Sequence, residues 1–159
     1  MVDAHWVHPG GYRLVKCGET WDSCALYECT LDVAAPLEFV AADGTAYQPD
    51  RHFVSDLASI PRLLWMVPSF ERDHALLSGL VHDSAYCHAG LWTRPPGLLA
   101  VIWCALDRAT VDAVFAEMVV AETGSTWLSW MMWVAVRLGG GRAWARGDRR
   151  LDMARATNG

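Results

Sequence analysis

The stretch Leu80-Val81-His82-Asp83-Ser84-Ala85-Tyr86 limits what this chain can fold into more than any other part of it. It sets an imidazole, a carboxylate and a phenol within five residues, behind the apolar run Ala75-Leu76-Leu77. A helix through this run buries one face, and polar groups on a buried face must find hydrogen-bond partners. His82 and Tyr86 are four apart and share a face, which His74 and Ser78 extend toward the N-terminus. Asp83 is turned about 100° from His82, at the edge of that face.

The hydrophobic period changes along the chain. Residues 12 to 54 read as β. Tyr12 to Cys17 and Leu26 to Leu31 alternate in part, and a short strand His52-Phe53-Val54 follows. Glu38 to Ala41 and Thr45 to Tyr47 flank Ala42-Asp43-Gly44, a hairpin signal because glycine accepts positive φ without penalty. From residue 61 the pattern turns helical. Pro61 opens a short helix through Leu64 and Trp65, Ser69 is placed to cap the next, and Gly90 with Pro95-Pro96 ends it in a loop. Asp107 caps a helix through Ala121, with Val111, Val114, Phe115 and Met118 on one stripe. Thr126 to Leu138 forms a last helix, with Trp127, Trp130, Met131 and Val134 on one face, and Gly139-Gly140-Gly141 stops it. The expected fold is α+β: an N-terminal antiparallel sheet followed by three or four packed helices. The 159 residues suit a single domain, β-rich over 12–54, helical over 61–141 and an arginine-rich polar tail over 142–159.

Composition narrows the function classes. Hydrophobic residues make up 53% against 19% charged, which suits a packed core and not disorder. A formal net charge of -5 argues against a nucleic-acid binder held by phosphate contacts. Arg142, Arg146, Arg149, Arg150 and Arg155 crowd the tail, but Asp148 and Asp152 interrupt them, as in a solvated segment. Cys17, Cys24, Cys29, Cys87 and Cys104 form no C-x-x-C pair, so they read as mostly reduced and packed and not as a zinc knuckle. The segments Gly97 to Leu106 and Trp127 to Leu138 are the most apolar. Both fall short of the ~20 residues that span a bilayer, so they read as core or surface helices. The start, Met1 to His5, is polar and has no secretion-signal core. The nine tryptophans read as mostly core, with Trp127, Trp130 and Trp133 as an alternative patch for a lipid headgroup layer.

Two chemical readings of the polar groups stay open. In one, His82 is a neutral imidazole poised to take a proton. Asp112, on another helix, accepts from its second nitrogen and fixes the tautomer. Asp83 and the loop residue Asp56 then offer oxygen ligands to a hard cation, calcium favoured and zinc the alternative. In the other, the His-Asp-Tyr set is a buried network that ties helices together and performs no chemistry. Arg108, four before Asp112, reads as an ordinary ion pair. Asp56 and Ser59 read equally as satisfying loop amides ahead of Pro61.

Four blocks together resemble a phage- and prophage-encoded family of unknown function, DUF1353. They are Phe53-Val54-Ser55-Asp56-Leu57-Ala58-Ser59-Ile60-Pro61-Arg62, Val81-His82-Asp83-Ser84-Ala85-Tyr86, Arg108 to Phe115, and Ala135-Val136-Arg137-Leu138-Gly139-Gly140. The family carries no established chemistry. The resemblance implies viral origin, with host cytoplasm or virion as the place of action. The spacing H-D-x-x-Y then R-x-x-x-D-x-x-F is also similar to the core of secreted bacterial phospholipases A2. That likeness implies His82 as the base, Asp83 and Asp56 as metal ligands, Asp112 as the orienting carboxylate and Tyr86 as its support. The chain lacks the disulfide framework and the glycine-rich calcium loop of those enzymes, and it carries extra residues from Thr93 to Leu106.

The first functional expectation is a metal-assisted hydrolase active in infection or lysis, on a lipid or other cell-envelope substrate. It requires His82 and its carboxylates to converge in a solvent-reachable cleft. The second is a non-enzymatic virion, tail or assembly component that binds other phage proteins or its own copies. A lipid-surface binder using the Trp127 helix is the third.

Overall fold

The computed structural model describes residues 3–19, 25–55 and 75–145. Among the described residues, eight strands and three helices are arranged as an α+β fold. The strands are β1 (His5–Val7), β2 (Tyr12–Glu19), β3 (Ala25–Leu31), β4 (Glu38–Val40), β5 (Ala46–Gln48), β6 (His52–Ser55), β7 (Gly90–Arg94) and β8 (Ile102–Ala105). The helices are α1 (Leu76–His88), α2 (Arg108–Thr123) and α3 (Thr126–Gly139). All strand pairs are antiparallel, in a five-stranded sheet β1-β4-β5-β7-β8 and a three-stranded sheet β2-β3-β6.

The Asp43-Gly44 turn forms as expected. Gly44 sits at φ 84, its amide donates to the Ala41 carbonyl at 2.9 Å, and the Asp43 side chain accepts from the Thr45 amide at 2.7 Å. Capping at Asp107 follows the sequence, and Ser125 caps α3 without having been expected to. The Asp107 carboxylate accepts from Thr110 N at 3.0 Å, and Ser125 Oγ accepts from Leu128 N at 3.2 Å. Gly124, left-handed at φ 70, closes α2.

Three expectations are corrected. His5 to Val7, ahead of the residues expected to be β, is an edge strand paired with Val40 to Glu38; three residues are too few for an alternating pattern to register. The stretch 97–106, read as helix, is turn and strand, because Gly90 to Arg94 and Ile102 to Ala105 form a hairpin that extends the larger sheet past β5. A short apolar run is equally consistent with a strand or a buried helix, and pairing with β5 decides here for the strand. The glycine run ends α3 only briefly, since Gly140 is right-handed and residues 141–145 resume helical turns. Pro61, Trp65, Ser69 and the tail beyond residue 145 lie outside the described residues.

α2 is the central helix, with two buried stripes. Val111, Val114 and Met118 pack with Val81 and Ala85 of α1, with Phe39 and Leu91 of the larger sheet and with Leu37 just before β4. Phe115 and Val119 pack with Met132 and Val136 of α3 and with Ala75. On a third front, Leu80 of α1 meets Cys29 and Phe53 of the smaller sheet. α1 is thus enclosed by both sheets and α2, which explains why its His82 is buried. The tryptophan face of α3 is not part of this core: Trp127 and Trp130 are each 61% exposed and Trp133 37%. Ser129, Met132 and Val136 form its buried side instead.

Cys29 is fully buried, and burial pushes its thiol up to about 11. The thiolate is the reactive form. Iodoacetamide at pH 8 should therefore spare Cys29 in the folded protein and modify it once denaturant is added, read by peptide mass mapping. Equal rates in both states would contradict this packing.

Candidate functional site

The centre of the molecule is a carboxylate with no access to solvent. Asp112, in the first turns of α2, is 0% exposed, and four groups converge on it. Its Oδ1 accepts from Tyr86 Oη at 2.7 Å and meets His82 Nε2 at 3.2 Å. Its Oδ2 accepts from Arg137 Nη1 at 3.1 Å and lies 3.5 Å from Arg108 Nε. Helical spacing delivers each group: His82 and Tyr86 are one turn apart on α1, Arg108 is one turn before Asp112, and Arg137 ends α3.

Arg108 does more than pair with Asp112. Its Nε also donates to Tyr86 Oη at 3.1 Å, and its Nη2 donates to the carbonyls of Val136 at 2.7 Å and Arg137 at 2.6 Å. One planar guanidinium thus joins α1, α2 and two carbonyls in the last turn of α3. The His82 ring lies between Tyr86 and Phe115, with centroid separations of 4.2 and 4.4 Å. Gly140 completes the fit. A Cβ there would stand 2.6 Å from Tyr86 Oη and 2.7 Å from the Val136 carbonyl, so only glycine lets the phenol reach Asp112.

Electrostatics fix the protonation states. Burial holds the His82 imidazole below its usual range of about 6.5; the Asp112 contact opposes this and the Arg108 charge adds to it. Burial would raise Asp112, but hydrogen bonds from His82, Tyr86 and Arg137 outweigh it and hold the carboxyl low. Burial first, then the bond to Asp112, pushes the Tyr86 phenol up to about 12. At neutral pH the set is therefore a carboxylate, a phenol, a neutral imidazole and two guanidiniums. An ionised Asp112 carries no proton, so Nε2 of the neutral imidazole must bear the hydrogen and Nδ1 the lone pair. That Nδ1 is buried with no hydrogen-bond partner among the described residues.

Of the expected site residues, the structure brings His82, Tyr86 and Asp112 together. Asp83 faces another way: its Oδ2 accepts from the hydroxyl of Ser55, the last residue of β6. Asp56, next in the chain, lies outside the described residues, as does His74. The expected open cleft around His82 is not seen, for the residue is 4% exposed. As to a metal, Asp83 supplies an oxygen donor suited to a hard cation. Among the described residues, however, no group of three or more His, Cys, Asp and Glu is gathered for one. Arg108 was read only as an ion pair, and the roles of Arg137, Phe115 and Gly140 were missed. The signal for them was the motif blocks themselves: those at 81–86, 108–115 and 135–140 each contribute a member.

The chain is thus an α+β protein whose helices meet on a buried His-Asp-Tyr-Arg network. It belongs to the family described as "Protein of unknown function (DUF1353)", which matches over residues 31–136. No curated protein and no solved structure matches it. No described helix is long and apolar enough to cross a membrane.

Two tests follow from the network. Gly140→Ala should lower stability by about 1–3 kcal/mol in denaturant unfolding, the usual range for overpacking. Gly139→Ala, whose added methyl meets nothing within 4 Å, should be near neutral. The second test is pH. His82 stays neutral when folded but takes a proton below about 6.5 when unfolded, so the unfolded state binds more protons there. Stability due to this site is therefore full above that pH and declines as pH falls from 6.5 toward the lower folded value. Asp112 adds a further loss only below its unfolded value of 3.8. His82→Gln should flatten the Tm-pH slope between pH 7 and 5, and parallel slopes would refute the assignment.

Proposed function

We propose that this chain is a phage-encoded, metal-assisted hydrolase that acts in infection or lysis, with a phospholipase A2-like arrangement of its His-Asp site. His82 is the general base, Asp112 its orienting carboxylate and Tyr86 the support of that carboxylate. The observation that carries the reading is the division of the imidazole: Nε2 is held by Asp112, and the Nδ1 lone pair has no partner among the described residues.

In the proposed reaction, which needs the buried Nδ1 to open to water and substrate, a water at Nδ1 attacks an ester carbonyl while its proton passes to the ring. The tetrahedral intermediate collapses, the ester C–O bond breaks, and the imidazolium returns the proton to the leaving alkoxide. Asp112 offsets the transient positive charge, and Tyr86 keeps its Oδ1 aimed at the ring. Asp83 and Asp56 would hold a divalent cation, calcium favoured and zinc the alternative, which when bound would polarise the carbonyl. A lipid or other cell-envelope ester fits this chemistry, with the host cytoplasm or the virion as the setting.

The near-complete burial of His82 and Asp112 favours a second reading, a virion, tail or assembly component whose network only holds three helices. In that reading, the exposed tryptophans of α3 meet another phage protein or a second copy. The two separate in one assay. The chain and its His82→Gln variant are offered p-nitrophenyl esters and phospholipid vesicles, with and without calcium. The hydrolase reading expects calcium-stimulated hydrolysis that falls by about 10²–10⁴-fold in the variant. Equal rates from the two proteins would leave only the structural reading.

A further inference from the structure

α1 begins without a cap of its own. Its N-cap position is Ala75, which has no side-chain acceptor, and no acidic residue lies in its first turn. A helix start of this kind leaves amide donors that need partners from elsewhere. Glu122, in the last turn of α2, supplies them. Its Oε1 accepts from Leu77 N at 3.0 Å; its Oε2 accepts from Ser78 N at 2.9 Å and Ser78 Oγ at 2.5 Å. A carboxylate at this place is poor for its own helix, where the carbonyl ends gather, and favourable for the amide end of the next.

α2 therefore grips α1 at two levels. Asp112 holds His82 and Tyr86, while Glu122, about 15 Å further along α2, holds the first turn of α1. The helices run antiparallel across these contacts. Ser78 lies one turn before His82 on the same face, so the carboxylate that fixes Ser78 also fixes the axial position of the imidazole. A slip of α1 along α2 would lengthen the His82 Nε2–Asp112 contact, which at 3.2 Å is already at the long end for a hydrogen bond.

We infer that Glu122 is a positioning residue for His82: by capping α1 from the far end of α2, it sets the hydrogen bond that selects the imidazole tautomer. This inference rests on the hydrolase reading for its functional meaning, but its test does not need activity. The tautomer of His82 is read from its ring 15N shifts at a fixed pH of 7.5, and the cap from amide exchange at Leu77 and Ser78. Glu122→Ala should speed exchange at both amides by about tenfold, the scale of a lost helix cap. It should also move the His82 ring shifts toward a mixture of tautomers. Glu122→Gln, which keeps one carbonyl acceptor, should show a smaller displacement of the same sign. Ser78→Ala, which loses only the hydroxyl bond, should show the smallest.

Should Glu122→Ala fail to fold, the glutamine and serine variants decide in its place. Faster amide exchange with unmoved His82 shifts in a folded variant would reduce Glu122 to a cap without influence on the site. Unchanged exchange would remove the cap itself, and either result overturns the inference. A wild-type chain that shows the tautomer coupling but hydrolyses nothing would sink the hydrolase reading and leave the positioning role intact.

Discussion

The buried negative charge of Asp112 organises this protein. Removing a carboxylate from water is costly unless charge and hydrogen bonds replace what is lost. Asp112 recovers them from both sides: His82 and Tyr86 of α1, Arg137 of α3, and Arg108 of its own helix. Two guanidiniums against one carboxylate leave the cluster net positive even with a neutral imidazole. Burial is the main reason the His82 ring stays neutral, and the Arg108 charge adds to it against the opposing pull of Asp112. Packing then follows from the charge, since Phe115 and Tyr86 flank the imidazole and Gly140 yields space to the phenol.

α2 carries its acids where they serve neighbours. Asp112, Glu117 and Glu122 are spaced by five residues, so each points about 140° around the helix from the last. Asp112 serves α1 and α3. Glu117 accepts from the Ala42 amide at 3.1 Å and pins the β4–β5 turn. Glu122 serves the start of α1. The large apolar contacts bring these elements together without direction, and the three carboxylates supply the registers.

Much of this was legible in the sequence. Val111, Val114, Phe115 and Met118 were predicted to face inward, and all are buried because a 3.6-residue period leaves little choice. Asp107 and the Asp43-Gly44 turn act through local chemistry, which a linear sequence displays well. The His82-Asp112 contact was also foreseen, as the bond that fixes the imidazole tautomer, while the place of Tyr86 beside it came from the likeness to phospholipases A2. What escaped depends on contacts distant in sequence. Arg137 is 25 residues from Asp112, and nothing local distinguishes it from a solvated helix-end arginine. The hairpin at 90–105 was hidden because its short apolar strands look like pieces of helix, and only pairing with β5 decides between them. The outward turn of Trp127 and Trp130 ran against hydrophobicity alone, which says nothing about which side of α3 meets α2.

The placement of Glu122 bears on how the chain comes to be folded. Alone, α2 would carry an acid at its unfavourable end, and α1 would begin with unsatisfied amides. Each helix corrects the defect of the other only once they lie side by side. Neither half should therefore persist as an ordered fragment, and the helical layer must assemble as one cooperative unit.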